Sequence, residues 1–449
     1  MVGAGRRSSL AYGAPVPSPP SITVVGIGAD GWSGLGPAAR SAIATAHRLF
    51  GGRRQLDLVP AADTCAERIV WPSPLRPALA ALLAAGAGPV VVLASGDPLV
   101  SGIATTIVDV LGIDADVRVL PALSSVALAR ARMVWPAETT AVVSAVGRDP
   151  SALLRELSPG RRILLLSADA TTPAAVAALL VDRGHGASRL TILGELGGPG
   201  ESRLDVTAGE LLGDRPQLPA LHVLAVVVEP ATGGAEPGPG VVPPPASWAT
   251  GLPDDAFEHD GQLTKRDLRA AALARLAPRP GELLWDVGAG AGSIGIEWSR
   301  AHPTCRAVAL ERDPIRADRI ARNARALGVP TLQVVIGAAP AVLDAALPGP
   351  PHAVFVGGAV SVPGVLDRCW AALPAGGRLV AHAVTLESER VLIERCSEYG
   401  GELIRVAVEH AAPLGGFTGW TPARAVVQYA AVKPHPAVST TTTAQEISR

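Results

Sequence analysis

Residues 283–297 read LLWDVGAGAGSIGIE: an apolar run reaching Asp286, then Gly288, Ala289, Gly290, Ala291 and Gly292, then the opening of a helix. Glycine lets the backbone approach a ligand closely, and the carboxyl edge of a parallel sheet is where such turns hold nucleosides. The next strand candidate, RAVALE, ends in Glu311, an acid at the position that accepts hydrogen bonds from both hydroxyls of a ribose. A glycine turn alone also serves nicotinamide dinucleotides, but those want Gly or Ala where Ser293 stands. DxGxGxG combined with Glu311 favours S-adenosylmethionine, and a turn that only capped a helix would not account for the acid. Asp286 is placed to meet the ammonium group of that cofactor, directly or through water. Gly337, Ala338 and Ala339 follow the next strand, where the adenine would lie. Ala338 offers no acid to the adenine amine, which leaves that contact to backbone groups.

These residues need a scaffold of alternating strands and helices. Short β-branched runs fall at 22–25, 90–93, 141–144, 163–167, 190–193 and 222–228, and again at 283–287, 306–310, 331–336, 353–356, 378–383 and 426–432. Ala/Leu/Arg-rich helical stretches separate them, the pattern of largely parallel sheets flanked by helices. Residues 231–247 read ATGGAEPGPGVVPPPAS, too rich in glycine and proline for helix or central strand, so a linker is expected over 231–250. The chain therefore reads as two α/β domains, at 20–230 and 251–434, with loose tails at 1–19 and 435–449. The halves share no period and are a fusion, not a repeat.

Composition agrees and excludes other classes. With 449 residues, 48% hydrophobic and 18% charged, the chain is globular and long enough for two cores. A net charge of −1 recruits neither nucleic acid nor an anionic membrane, and aromatics at 3% provide no stacking platform for bases. The longest apolar runs have strand length, so no membrane span is expected. Cys65, Cys305, Cys369 and Cys396 are scattered and form no CxxC pair, as in a reducing compartment, and the prolines after Arg6 and Arg7 argue against a cleaved signal. A cytoplasmic protein without a bound metal is expected. Lysine is confined to Lys265 and Lys433, so arginine carries nearly all the positive charge. Arginine forks suit a polycarboxylate ligand, although codon bias in an Ala/Gly/Pro-rich chain produces the same excess.

The stretch DDAFEHDGQLTKRDLRAAALARLAPRPGELLWDVGAGAGSIGIEWSRAHP resembles the decarboxylating precorrin methyltransferase family of cobalamin synthesis. VFVGGA at 354–359, AVTLE at 383–387 and AAPLGGFTGWTPARAVVQYAAVKP near the end are similar to the same family. The resemblance implies that Thr264 touches the cofactor, Gly288 to Gly292 cradle it and Glu311 holds its ribose, in a Rossmann-like domain.

The first half is of a different type. TVVGIGADG at 23–31, VVVLASGDPLVSG at 90–102, PALSSVALARAR at 121–132 and LGELGGPGE at 193–201 follow one another in the order of the tetrapyrrole methylase family, in the branch that methylates precorrin carbon 5. The resemblance places Ser95, Gly96 and Asp97 in a cofactor turn with Val100 against the adenine. Gly26 and Gly28 belong to the opening turn, Ser124 and Ser125 line the pocket, and Gly147 and Gly194 stand at its far wall. The family's opening turn commonly reads GxGPG, whereas Ala29 and Asp30 follow Gly28 here.

Together the two resemblances imply S-adenosylmethionine in each domain, and methylation of precorrin-6B at carbons 5 and 15 with loss of the ring C acetate carboxylate, giving precorrin-8. They also imply a homo-oligomer. Arg266, Arg378 and Arg424 are candidates to grip peripheral carboxylates, and His259 and His382 to supply a proton, each set against an ordinary structural or solvated role. Other readings are tandem methyltransferases on another tetrapyrrole or on RNA, and one catalytic domain joined to a binding module.

Overall fold

The computed structural model describes residues 21–112, 114–214, 216–231, 248–344 and 347–435. Most of the expected linker and nearly all of both expected tails lie outside them.

The first half builds two sheets. β1 (Ile22–Ile27), β2 (Arg48–Gly51), β3 (Glu67–Val70), β4 (Val90–Ser95) and β5 (Val117–Leu120) form an all-parallel sheet in the order β3-β2-β4-β1-β5. Its central strands read ITVVGI and VVVLAS, nearly continuous apolar runs, because helices cover both faces. β6 (Thr140–Ser144), β7 (Arg162–Leu166), β8 (Arg189–Gly194), β9 (Ser202–Thr207) and β10 (His222–Val227) form the second sheet in the order β6-β7-β10-β8-β9. This sheet corrects the expectation of largely parallel pairing, since only β6 and β7 run parallel. Residues 195–201 are too few for a crossover, so β9 must return antiparallel to β8.

The second half folds as one seven-stranded sheet. β11 (Leu283–Val287), β12 (Arg306–Glu311), β13 (Gln333–Ile336), β14 (Ala353–Val356), β15 (Arg378–Ala383), β16 (Glu402–Val406) and β19 (Val426–Val432) lie in the order β13-β12-β11-β14-β15-β19-β16. β17 (Glu409–Leu414) and β18 (Phe417–Pro422) form a separate hairpin. Two apolar layers sandwich the sheet, one around the fully buried Trp298 and the other around Tyr429.

The halves dock through the 3-10 helix Pro150–Glu156 and the end of the helix Pro314–Ala326. Arg325 pairs with Asp149 at 3.1 Å, Arg183 donates to the Ala326 carbonyl at 2.8 Å, and Trp248 donates to that of Arg155 at 3.2 Å. Gly328 has φ +77 and lies so close that a Cβ there would meet the Arg155 amide nitrogen at 2.4 Å.

Candidate active sites

In the seven-stranded sheet β11 leads to β12 on one side and β14 leads to β15 on the other, so a crevice opens between the ends of β11 and β14. Gly288 (φ +71) and Gly358 line it back to back; a Cβ on Gly288 would come within 2.9 Å of the Gly358 nitrogen. Here the cavity, of about 620 Å³, is walled by Gly288, Ala289, Gly290, Glu311, Gly337, Ala338 and Ala339. Glu311 is 4% exposed, and its Oε2 accepts the Gly290 N–H at 2.8 Å while Oε1 accepts that of Asp313 at 3.1 Å.

A roof closes the cavity from the segment before the helix Arg266–Leu276. Arg316 and Arg319 grip Asp260 at 2.9 and 3.1 Å and hold its carboxyl well below the usual range, Arg316 first. Arg322 pairs with Glu258, and the Asn323 amide bonds both the N–H and the C=O of Glu258. These tethers bring Gln262 over Gly290, where a Cβ would meet the Gln262 carbonyl at 2.9 Å, and put Thr264 in the cavity wall. Glycines no Cβ could replace, a carboxylate at the second strand end and neutral backbone at 337–339 suit an adenosyl group on its amino-acid side, ribose and base in turn.

Other expected residues stand elsewhere. Asp286 is 1% exposed and turned behind the turn, where Oδ2 accepts the Gly295 N–H at 2.9 Å. Burial, with the nearby charge of Glu311, outweighs that bond and pushes its carboxyl up to about 7. It braces the helix Ser293–Ala301 rather than facing a ligand, because β11 points it inward. Ala291 is in the core, and Gly292 packs against Ile320 as the cap of that helix.

Arg378 is also corrected. It is 5% exposed, bonds both oxygens of Glu282 and donates to the carbonyls of Leu276 and Ala277, which makes it a core brace. Arg266 is exposed near Gly251 and outside the cavity wall. His259 is exposed too, its Nδ1 accepting the Gly261 N–H at 3.1 Å. His382 does line the cavity, with Nε2 2.9 Å from Gln428 Oε1, but burial lowers its pKa. A neutral imidazole at pH 7 is a poor proton donor. Arg424 stands in the wall as expected, joined by Lys265, Arg316 and His410, which sequence patterns did not single out. These basic residues come from four separate segments, and no local spacing unites them.

In the first half, β1 and β4 send their connections in opposite directions, and their ends converge. A Cβ on Gly26 would sit 1.9 Å from the Gly96 carbonyl and 2.6 Å from the Ala122 nitrogen. Gly96 takes φ +57, and Asp97 Oδ1 accepts the Leu99 N–H at 2.9 Å to close the turn. Ser124 caps the helix that Ser125 begins, accepting from Ala127 at 3.0 Å. Val100 packs on the core around Trp135 and Leu196. Gly28 sits against Asp30, whose Oδ1 a Cβ would meet at 2.4 Å. Gly198, in the loop after β8, reaches the loop after β1, its Cβ position lying 2.9 Å from Ala29 Cβ. Hence the loops at the carboxyl edges of the two sheets meet. Gly147 (φ +63) lies on the far edge beyond β6. Gly194 is demanded by packing, since a Cβ would overlap Ser202 and Pro219.

On that far edge Ser144 Oγ, Ser167 Oγ and His222 Nε2 are buried without hydrogen-bond partners. An unmade buried bond costs about 1–3 kcal/mol, so three at one strand edge point to polar ligand groups. Beside the glycine turn of the near edge they suit a nucleoside cofactor. No group of His, Cys, Asp and Glu among the described residues could hold a metal ion, and no described helix is long and apolar enough to cross a membrane.

Two different α/β folds, each with a glycine turn at its strand ends, define a tandem methyltransferase. Residues 21–212 match the family model of tetrapyrrole (corrin/porphyrin) methylases, and residues 255–433 that of the precorrin methyltransferase domain. A precorrin-6Y C(5,15)-methyltransferase [decarboxylating] from Sinorhizobium sp is 45% identical over 415 residues, 92% of this chain and 97% of that protein. One of the same name from Mycobacterium tuberculosis (strain CDC 1551 / Oshkosh) is 46% identical over 92% of this chain and 100% of that protein. The crystal structure of the C-terminal domain of precorrin-6Y C5,15-methyltransferase from Rhodobacter capsulatus is 44% identical, covering 42% of this chain and 100% of that chain with a TM-score of 0.39. The chain belongs to the decarboxylating precorrin-6Y C(5,15)-methyltransferase family.

Proposed function

We propose that the chain methylates precorrin-6B at carbons 5 and 15 and removes the carboxylate of the ring C acetate, giving precorrin-8, with one S-adenosylmethionine site in each domain. The observation that carries this reading is likeness to both domains of the family in one chain, over nearly the full length of the relatives. The domain of residues 20–230 is assigned carbon 5, and the domain of residues 251–434 carbon 15 and the decarboxylation. Other tetrapyrroles and RNA are the rival substrates.

S-adenosylmethionine supplies a methyl group on a sulfonium, which a carbon nucleophile displaces in line. The protein must align the two and exclude water. The Gln262–Thr264 roof and the glycine turn do both in the second domain. An enamine-like ring carbon needs no base before attack, which fits a wall in which His382 is held neutral and bonded to Gln428. In the decarboxylation, the bond to the carboxylate carbon breaks, and its electron pair flows into a protonated imine of the macrocycle. Carbon dioxide leaves, and the former acetate carbon takes a proton to become a methyl. Val362, Val384, Val406 and Val408 line the cavity and would leave the departing carboxylate poorly solvated, while Arg424 and Lys265 hold the retained ones.

Incubation with precorrin-6B and S-adenosylmethionine tests the whole reading by mass spectrometry. Two methyl groups gained and one carbon dioxide lost is the expected product; an unchanged mass overturns it. Calorimetry with S-adenosylhomocysteine should find two sites per chain.

A further inference from the structure

The first domain carries a cation that nothing above uses. Arg54, in the short helix Arg53–Asp57 after β2, donates from Nη2 to Ser95 Oγ at 2.8 Å, and Gln55 Nε2 donates to the same oxygen at 2.8 Å. An oxygen that accepts two hydrogen bonds has its own proton left to give. Among the described residues Arg54 makes no further hydrogen bond and no ion pair, although the charge of Glu195 acts on it. Ser95, the last residue of β4, puts this donor set beside the Gly96–Asp97 turn.

The surroundings are apolar. Leu99 (56% exposed) follows the turn, Leu123 (69%) sits with its carbonyl against Gly96, and Leu221 (40%) accepts the Glu195 N–H from the facing edge. Glu195 itself is held at φ +43, a conformation that costs a non-glycine residue free energy. The partial loss of water lowers the pKa of Arg54, with the charge of Glu195 opposing. A partly desolvated guanidinium with no ion pair among the described residues, beside a turn edged by exposed leucines, fits a ligand with a broad apolar face and carboxylates on its rim.

We infer that Arg54, held by Gln55-supported Ser95, anchors a peripheral carboxylate of the macrocycle in the first domain, with Leu99 and Leu123 under its apolar face. This assignment rests on the two-transfer reading and names the residues that would orient the macrocycle for it. The same chemistry is offered by the amino-acid carboxylate of the cofactor, and the experiment separates the two.

Arg54→Gln and Arg54→Lys are made in the full chain. Loss of a charge-assisted bidentate contact should weaken tetrapyrrole binding at the first site about 10- to 100-fold in R54Q, with R54K recovering part of it. Titration with precorrin-6B in the presence of S-adenosylhomocysteine reads this without turnover. Affinity for S-adenosylhomocysteine should stay unchanged, and a product with one methyl and one lost carbon dioxide should accumulate, which also shows that the variant is folded. An equal loss of S-adenosylhomocysteine affinity with intact tetrapyrrole binding overturns the anchor and gives Arg54 to the cofactor. Unchanged binding of both also overturns it. A wild-type chain that adds no methyl at carbon 5, while R54Q still loses the tetrapyrrole, retires the two-transfer reading and leaves the anchor standing.

Discussion

Glu311 Oε2 and the Gly290 amide are 2.8 Å apart, so the acid at the end of β12 holds the glycine turn at the end of β11. Its other oxygen takes the Asp313 amide. The carboxylate therefore shapes the turn before any ribose reaches it. Glu311→Ala orphans two partly buried N–H groups and removes the proposed ribose acceptor. We expect S-adenosylhomocysteine affinity at the second site to fall at least about tenfold, and stability by about 1–3 kcal/mol. Calorimetry and thermal melting measure the two effects; unchanged affinity would remove Glu311 from the site.

Asp286 predicts a pH effect. Its folded carboxyl, raised to about 7 by burial, binds a proton that the unfolded chain releases near 3.8. Stability from this group is thus fullest below about 4 and declines as pH rises towards 7, by an amount of order 4 kcal/mol at most. Asp286→Asn keeps a carbonyl oxygen for the Gly295 N–H and cannot ionise. Melting curves from pH 5 to 8 should show the variant gaining on the wild type as pH rises, with cofactor affinity nearly unchanged. A variant that loses cofactor binding while its melting curve follows the wild type would return Asp286 to the ligand.

Every strand expected from the sequence forms, and most of those runs are buried and read as nearly unbroken apolar stretches, β6 and β13 being the partly exposed exceptions. β3, β5, β9 and β16 at sheet edges and the β17–β18 hairpin escaped notice because most of their residues are wholly or partly exposed, and the buried β2 because its four residues, RLFG, are too few to show a period. The site was legible where chemistry is local. Gly288, Gly290 and Glu311 announce themselves through spacing along adjacent strands, whereas Arg54 meets Ser95, and His410 meets Lys265's cavity, only through the fold. Orientation was the other blind spot: Asp286 and Arg378 have the right chemistry and point the wrong way.

Domain docking depends on Gly328. With φ +77 and the Arg155 amide 2.4 Å from where a Cβ would be, Gly328→Ala must push the 3-10 helix of the first domain away. Calorimetric unfolding should change from one transition to two, and proteolysis between residues 231 and 248 should quicken, while each half keeps its S-adenosylhomocysteine affinity. A single unaltered transition would show that the halves hold together by other contacts.

Arg378 and Arg424 separate a brace from a proposed binding residue. Both were candidates for the same task, yet one is locked to Glu282 in the core and the other is in the cavity wall. Arg378→Met leaves the Glu282 carboxylate buried without its partner, a loss of about 3–5 kcal/mol. It should lower the melting temperature sharply and leave KM for the tetrapyrrole nearly unchanged in whatever fraction folds. Arg424→Gln should do the reverse, raising KM for the carbon 15 reaction about tenfold with little change in melting, as expected for a lost charge-assisted bond to a carboxylate. Equal effects of both on KM would mean that the macrocycle reaches the Glu282 side of the sheet, which the buried strands β11 and β15 leave no room for.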